Sequence, residues 1–345
     1  MTPGSRLQAP AKAVASRSPE AGGRSPSIID RKHLFVVGKG GVGKSTVATA
    51  LALLALRRKK RVLLVNLDFG DRERTIAGLR PAQGAQPSEV VPGLFRANVE
   101  GRAALEEYLH LIIPVRRVLK AVFDSKVYQY FVAAAPGLKE LMAIGKIWYE
   151  VDRGRWDLVI VDSPATGHAL QYLRMPKTAY ETFTTGLVHR EAKRVWGLLS
   201  DPATTAVCVV TVAEELPVNE TIAICGQLRD ELALPEGILF VNRFHAPDFS
   251  PAEVKAAGAA WRKGAGEPCD RLAEAVLASA EEETSWGALN EHYRHKLADE
   301  TGWRLAVLPF LFREEFSFAD VEILSDLIAD ALSPRAKPRR LEARR

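Results

Sequence analysis

Cysteine is scarce in this sequence, and its spacing is not that of a metal site. The 345 residues include three cysteines, Cys208, Cys225 and Cys269, and no two of them form a CxxC pair. Three is an odd number for a disulfide framework, and disulfides are rare in proteins of reducing compartments. The cysteine content therefore favours a protein of the cytoplasm over a disulfide-stabilised secreted protein.

Long apolar segments are missing too. No apolar run reaches the roughly 18–20 residues that a membrane-spanning helix requires. The N-terminal segment also lacks the apolar core of a secretory signal peptide. We therefore predict a soluble, cytoplasmic protein.

The central part of the chain has no net positive charge, although the formal net charge of the whole chain is +5. Residues 1–30 contain four basic and two acidic residues, and residues 335–345 contain six basic and one acidic residue. These ends contribute +2 and +5, so the remaining chain carries about −2. A body without a basic excess predicts no nucleic-acid partner. The basic C-terminal segment could contact an acidic protein, a membrane surface or RNA, but a disordered, solubilising end is the simpler interpretation.

The chain divides into one folded domain and two tails. Residues 1–30 are rich in Pro, Ser, Gly, Ala and Arg, a composition typical of disorder. We predict a disordered tail over 1–30, a folded domain over 31–334 and a basic disordered tail over 335–345. Apolar runs predict strands at 33–38, 61–67, 93–99, 157–162, 206–212, 237–242 and 304–309. Helical patterns lie at 44–57, 101–122, 138–151, 168–198, 217–231, 251–263, 268–298 and 317–332.

The order of these elements predicts the fold class. Most of the strand runs are almost entirely apolar, as in parallel strands that are covered on both faces. Strands that alternate with helices form doubly wound sheets with right-handed crossovers. We therefore predict an α/β fold with a doubly wound, mostly parallel sheet and helical additions. The longest strand-free stretch, 100–156, is expected to form a helical layer at the edge of the sheet.

A glycine-rich segment, GKGGVGKST, follows the first strand and fits two nucleotide-binding motifs. Its glycines satisfy the GxGxxG of dinucleotide-binding folds, whereas Lys44 and Ser45 complete the GxxxxGK[ST] of a P-loop. A dinucleotide fold needs no lysine at its pyrophosphate, but a P-loop places lysine on the β- and γ-phosphates and the hydroxyl on Mg²⁺. Lys44 and Ser45 therefore favour the P-loop. The predicted nucleotide-binding residues of the loop are Gly38, Lys39, Gly40, Gly41, Val42, Gly43, Lys44, Ser45 and Thr46.

Two aspartates stand where a P-loop enzyme needs carboxylates. Asp162 ends the strand DLVIVD, where a carboxylate together with Ser45 would hold Mg²⁺. Asp68 follows VLLVNL, where a carboxylate would orient or deprotonate the attacking water. The alternative for each is an ordinary strand-end aspartate that caps the next turn.

The base is expected to be adenine. Guanine-binding proteins commonly carry an NKxD box after a late strand, and here that strand ends VNRFH. Asn242 is present, but Arg243 replaces the lysine and His245 replaces the aspartate. Without an acceptor for the guanine N1–H and amino group, ATP with Mg²⁺ is the predicted ligand.

These residues resemble a known family. The signature KGGVGK[ST] at 39–45 is that of the deviant Walker A class, which includes the ParA and MinD partitioning ATPases. DSPATGHALQYLRMP at 162–176 is similar to switch II of the arsenite-pump and tail-anchored-protein-targeting ATPases, the ArsA/GET type. Further similar segments lie at 93–109, 136–144, 220–221, 241–243 and 308–316, so the resemblance is collinear over about residues 33–330.

The resemblance implies a SIMIBI-type P-loop NTPase that hydrolyses ATP as a homodimer and acts as a nucleotide switch for a client protein or an anion pump. Lys39 would reach across the dimer to the phosphates of the partner, and with Lys44 and Asp68 it would form the catalytic set. Asn242 would contact the adenine, and Pro309 would belong to the loop that covers it. The switch II residues would be Thr166, Gly167 and His168.

Departures from the family leave the cargo and the membrane partner open. The segment after Asp68 reads FGD instead of the frequent P-A-H, there is one P-loop instead of a tandem pair, and no arsenite-binding cysteine cluster is evident. A CxxC zinc clasp is missing, and so is a Met-rich insertion for hydrophobic tails. A positioning ATPase of the ParA/MinD kind, bound to DNA or a membrane through the basic tail, stays an alternative. A further alternative, an NAD-dependent oxidoreductase, is supported only by the GxGxxG motif.

Overall fold

A computed structural model describes most of the predicted folded domain. The described residues are 27–67, 79–82, 84–112, 125–126, 137–247, 249–264 and 270–333. Asp68, Cys269 and the predicted tail over 335–345 lie outside the described residues, as does the predicted tail up to residue 26.

Strands and helices alternate along the described chain. The strands are β1 (His33–Val37), β2 (Val62–Leu67), β3 (Ser88–Val91), β4 (Leu94–Val99), β5 (Leu158–Asp162), β6 (Thr205–Val212), β7 (Glu236–Phe244) and β8 (Leu305–Pro309). The helices are α1 (Lys44–Arg57), α2 (Gly101–Ile112), α3 (Leu138–Asp152), α4 (Thr166–Thr182), α5 (Gly186–Ser200), α6 (Glu215–Gly226), α7 (Pro251–Gly264), α8 (Asp270–Thr301) and α9 (Phe318–Leu332).

The strands form one sheet in the order β3-β4-β2-β5-β1-β6-β7-β8. All neighbouring pairs are parallel except β3 and β4, which are antiparallel. The glycine-rich segment follows β1, which lies between β5 and β6. The strands that follow β1 in the chain lie on both sides of it, β5 and β2 on one side and β6 and β7 on the other. Ligands of doubly wound sheets bind at the carboxyl ends of the strands near such a reversal of strand order. The predicted α/β class and the mostly parallel, doubly wound sheet are confirmed.

Both faces of the sheet are covered by helices, which explains the apolar character of the strands. In β1, Leu34 and Val36 face a core formed with α1 and α9, whereas Phe35 and Val37 face a core formed with α3, α4, α5 and α6. Side chains of a strand alternate between its faces, so a strand that is buried on both sides shows no polar alternation.

The structure differs from the prediction within the helices and strands at the following places. The helix predicted over 168–198 is two helices, because the chain leaves α4 at Phe183 and α5 begins at Gly186, whose φ is +89°. The short edge strand β3 is absent from the prediction, since SEVV is only partly buried. Helix α3 lies on a face of the sheet and contributes Ile144 and Ile147 to a core, so the predicted layer at the edge was wrong for this helix.

The folded chain also includes residues assigned to the N-terminal tail. Ile28–Asp30 form a turn of 3-10 helix, and Ile29 is fully buried in the core of α1 and α9. Lys60 donates a hydrogen bond to the Ile29 carbonyl (2.6 Å) and lies 3.7 Å from the Asp30 carboxylate. Proline and serine composition predicted disorder here, but two adjacent isoleucines provide the apolar area that anchors this turn.

No helix within the described ranges is long and apolar enough to cross a membrane.

Histidine at the start of β1 predicts a pH dependence of stability. His33 is fully buried, and its Nδ1 lies 3.3 Å from the Thr205 hydroxyl, which itself donates to the Leu198 carbonyl. Nδ1 therefore carries the proton and donates, and the buried Nε2 has no partner among the described residues. Burial lowers the pKa of His33 from 6.5 to about 4.

We expect His33 to destabilise the fold in acid. Its folded pKa lies below its unfolded value, so the unfolded chain binds the proton first and stability falls as the pH drops from about 6.5 to about 4. The loss between pH 7 and 4.5 should be about 2 kcal/mol more than in His33→Gln, which does not titrate. Urea unfolding of both proteins across this range measures the difference, and parallel pH profiles would contradict it. Asp162, whose raised pKa acts in the opposite direction, is present in both proteins and cancels.

Candidate functional site

The glycine-rich loop runs from the end of β1 to the start of α1, and two of its glycines are required by close contacts. A Cβ on Gly38 would lie 2.1 Å from the carbonyl oxygen of Val210 in β6. A Cβ on Gly43 would lie 2.3 Å from Nδ2 of Asn242, and the φ of Gly43 is +96°. Only glycine fits such a left-handed position beside another side chain without strain. The loop is therefore held against β6 and β7 with its backbone exposed for a ligand.

Lys44 lies inside this loop. Lys44 is the first residue of α1, and its ammonium donates a hydrogen bond to the Lys39 carbonyl (2.9 Å). The residue is 8% exposed. Burial lowers the pKa of the Lys44 ammonium, and the negative charge of Asp162 opposes this effect. A positive charge is thus placed within the loop, at the N-terminus of a helix, where the helix dipole also favours an anion.

Asp162 lies beside the loop on the neighbouring strand. It is the last residue of β5 and is in register with Val36 of β1. Burial raises the pKa of its carboxyl group from 3.8 to about 6, while a hydrogen bond with Ser45 and the charges of Lys44 and Arg96 lower it. A desolvated carboxylate next to a lysine is an arrangement found at functional sites.

The site residues fit a phosphate group and Mg²⁺. The Ser45 hydroxyl is close enough to Asp162 to lower the pKa of its carboxyl group, and these are the two side chains that hold Mg²⁺ in P-loop NTPases. Oδ1 of Asp162 is buried and has no hydrogen-bond partner among the described residues. A buried acceptor without a partner is costly, and a hydrated cation would satisfy it. The prediction that Ser45 and Asp162 hold the metal is thus compatible with the geometry.

Asn242 supports the loop. It lies near the end of β7, is 5% exposed, and donates a hydrogen bond from Nδ2 to the Val42 carbonyl (2.9 Å). Its predicted contact with adenine stays a prediction, and its observed contact is with the loop backbone. Pro309 ends β8 in register with Phe244, and β6 and β7 separate β8 from β1. Of the two residues predicted for the base, only Asn242 is therefore seen to contact the loop.

The start of α4 lies close to the loop. A Cβ on Gly40 would be 3.9 Å from the Cβ of Ala165, the residue before α4 begins at Thr166. Ser163 donates a hydrogen bond to the Val36 carbonyl (2.7 Å), which ties the segment after Asp162 to β1. The segment predicted as switch II is thus adjacent to the loop that would bind the phosphates.

Lys39 has a different environment from Lys44. Its ammonium lies 2.7 Å from Oε1 of Glu220 in α6, and about a third of its side chain is exposed. One lysine therefore lies inside the loop and the other lies at its rim, in a surface ion pair within the same chain.

Sequence comparisons agree with this geometry. The pattern of the family described as anion-transporting ATPase matches residues 31–193. The ATPase BagA of Mycobacterium tuberculosis (strain H37Rv) is 30% identical over 234 residues, which cover 65% of this chain and 68% of that protein. The chain belongs to the anion-transporting ATPase family.

Other relatives match this chain over a smaller part of their own length. The ATPase get3 of Schizosaccharomyces japonicus is 30% identical over 148 residues, which cover 42% of this chain and 44% of that protein. The arsenical pump-driving ATPase of Acidiphilium multivorum is 25% identical over 254 residues, which cover 67% of this chain and 42% of that protein. The family and these relatives indicate an enzyme that hydrolyses ATP, and the resemblance to the ArsA/GET type is confirmed. The assignment of GKGGVGKST as the P-loop stays a prediction that is compatible with this family.

Two features of the site were not predicted from the sequence. Glu220 belongs to a segment that resembles the family, but its contact with Lys39 bridges 181 residues of sequence and has no local signal. Asn66 is the one polar residue of β2 (VLLVNL), and β4 (LFRANV) contains Asn98 and Arg96; polar residues within these strands were the available signal. Asp68, predicted to activate water, lies outside the described residues, and its role stays a prediction.

Proposed function

We propose that this ATPase works as a homodimer that closes around Mg-ATP and acts as a nucleotide switch for a client protein or an anion pump. The position of Lys39 carries the proposal. Lys44 already places an ammonium inside the loop, whereas Lys39 is partly exposed at its rim. A second positive charge at the rim is suited to the phosphates of a partner, where it would stabilise charge in the transition state.

The residues of one chain would share the work of hydrolysis. The backbone N–H groups of the loop and the Lys44 ammonium would bind the phosphates, and Ser45 and Asp162 would hold Mg²⁺. The metal would neutralise charge on the β- and γ-phosphate oxygens. Asp68 would orient the attacking water and accept its proton. Lys39 from the partner would complete the site.

The switch would be read at the far end of α4. This helix begins at Thr166 beside the loop and ends next to an exposed apolar group, Phe183, Leu187 and Val188. These three side chains are about 40–50% exposed, and exposed apolar surface is common at protein interfaces. This apolar surface supports binding of a client protein. The name of one relative, the arsenical pump-driving ATPase, supports a role in an anion pump as the other form of the proposal.

Metalloid binding by the described cysteines has less support. Cys208 and Cys225 are both buried, and they belong to the cores on opposite faces of the sheet. Burial raises the pKa of the Cys208 thiol to about 11 and of the Cys225 thiol to about 12. Thiolates are the metal-binding form, so these residues are not suited to act together as ligands.

The proposal is tested by the molar mass in solution. Asp68→Asn should bind Mg-ATP without hydrolysing it, and light scattering after size exclusion should show twice the monomer mass with Mg-ATP and a smaller mass with ADP. Lys44→Met is the matched control and should not respond to nucleotide. A mass that stays monomeric at every nucleotide condition, with ATP turnover per chain that is independent of protein concentration, would contradict the dimer.

A further inference from the structure

A row of polar side chains crosses the sheet at the carboxyl ends of three strands. Asn66 of β2 is in register with Asp162 of β5 on one side and with Asn98 of β4 on the other. Residues that are in register on neighbouring strands point to the same face, so the row lies on the face covered by α1. Two residues earlier on this face, Leu64 and Ile160 are apolar and belong to the core. Arg96 of β4 is in register with Leu64 and is also buried. In β2 and β5 the row therefore begins where the apolar core ends.

Two side-chain oxygen atoms in this row accept no hydrogen bond from the described residues. Nδ2 of Asn66 donates to Oδ1 of Asn98 at 2.9 Å, which fixes the orientation of the Asn66 amide. The other end of that amide, Oδ1, is buried and has no partner in the described part of the chain. Oδ1 of Asp162 is in the same condition, and the two residues are 4% and 1% exposed. A buried acceptor without a donor destabilises the fold unless a ligand or water supplies the donor.

Two buried acceptors on adjacent strands call for one small group with two donors. Neighbouring strands lie about 4.8 Å apart, and a water molecule hydrogen-bonded to both oxygens at about 2.8 Å spans that separation. Two cations, Lys44 and Arg96, act on the carboxyl group of Asp162. The Lys44 ammonium donates to the Lys39 carbonyl (2.9 Å), and the Arg96 guanidinium donates to the Arg80 carbonyl (2.8 Å). Neither is hydrogen-bonded to the two oxygens, which leaves them available to a donor that a ligand brings.

We propose that Asn66 is a positioning residue of the metal site, whose side-chain carbonyl, held by Asn98, accepts a hydrogen bond from the same Mg²⁺-bound water as Asp162. The inference rests on the proposed function of Ser45 and Asp162 as the metal-holding residues. A water that donates to both oxygens has a fixed orientation, so Asn66 would determine where the metal lies relative to the phosphates. Polar residues of this kind, which contact a ligand of the metal and not the metal itself, typically change metal affinity by about 10–100-fold.

The test compares ADP binding with and without Mg²⁺ by calorimetry, because this readout does not require turnover. We expect Asn66→Leu to bind ADP in EDTA like the wild type, but to need about 10–100-fold more Mg²⁺ to reach the metal-dependent affinity. Asn66→Asp keeps an acceptor at the same position and should restore the Mg²⁺ requirement to the wild-type value or below it. A purely structural role would instead change ADP binding in EDTA.

A matched control separates loss of the acceptor from loss of a buried amide. Asn290 is 3% exposed and bonded to the Ala213 carbonyl in another part of the fold, so Asn290→Leu should lower stability without changing the Mg²⁺ requirement. If Asn66→Leu does not fold, Asn98→Leu frees the Asn66 amide to turn and should raise the Mg²⁺ requirement by a smaller factor. A folded Asn66→Leu or Asn98→Leu with the wild-type requirement overturns this inference alone. A wild-type protein whose ADP affinity ignores Mg²⁺ overturns the proposed metal function instead.

Discussion

Replacing Lys44 with methionine should abolish ATP turnover and leave the protein folded. The ammonium lies inside the loop at 8% exposure, and a P-loop lysine contacts the β- and γ-phosphates. Methionine keeps the length of the side chain and removes its charge, so the loss of turnover should exceed about 100-fold. Steady-state phosphate release, measured beside nucleotide affinity, gives the effect.

Stability is expected to respond differently from activity in this variant. Burial already lowers the pKa of Lys44, which means that the folded protein pays a desolvation cost for this charge. Methionine removes that cost, so the melting temperature without nucleotide should change by no more than a few degrees. Lys32→Met, an identical change at an exposed lysine before β1, should leave both turnover and stability unchanged. Full turnover in Lys44→Met would contradict the assignment of the loop.

Replacing Lys39 with alanine should preserve ATP binding and remove hydrolysis. The side chain is at the rim of the loop and bonded to Glu220, so its removal leaves the cradle around Lys44 intact. Cationic residues supplied by a partner to phosphoryl-transfer sites contribute about 10³–10⁵ in rate. We expect a loss of at least about 100-fold in turnover with ATP affinity within about threefold of the wild type.

Mixing two inactive variants tests whether Lys39 acts across a dimer. In a heterodimer of Lys39→Ala and Asp68→Asn, one site keeps its own Asp68 and receives Lys39 from the partner. Random pairing gives half heterodimers, each with one working site, so an equal mixture should recover about a quarter of wild-type turnover. No recovery, although both variants bind Mg-ATP and exchange subunits, would mean that Lys39 acts within its own chain.

Glu220→Gln separates the loss of the lysine from the loss of its ion pair. Both substitutions remove the Lys39–Glu220 ion pair, but only Lys39→Ala removes the positive charge. An exposed ion pair of this kind contributes about 0–1 kcal/mol, so the glutamine variant should be as stable as the wild type. It should also keep hydrolysis, and a loss as large as that of Lys39→Ala would assign the effect to Glu220.

The sequence was sufficient for the fold class and for the family, because both depend on local patterns. Apolar runs such as VLLVNL identify strands covered on both faces, and Lys44 with Ser45 separates a P-loop from a dinucleotide motif. Alternation of strands and helices also predicted that the strands are mostly parallel, whereas the position of Asp162 beside the loop depends on the pairing of β5 with β1, which is known from the structure.

Contacts between distant residues could not be predicted in the same way. Glu220 meets Lys39 because α6 follows β6, the neighbour of β1, and strand order is not written in any local pattern. The division of 168–198 into two helices was missed because its periodicity continues through residues with ordinary helix propensity. The donors and acceptors of Asn66 became informative only when register placed it between Asn98 and Asp162.

Helix α4 connects the site to a distant part of the surface. It begins four residues after Asp162 and contains 17 residues, so it is about 25 Å long. Pro176, in its second half, cannot donate a backbone hydrogen bond and provides a natural point of bending. A tilt of about 5° at Thr166 would displace the opposite end by about 2 Å, which is enough to repack side chains. A small rearrangement beside Asp162 would therefore be transmitted along this one helix to the apolar surface at Phe183.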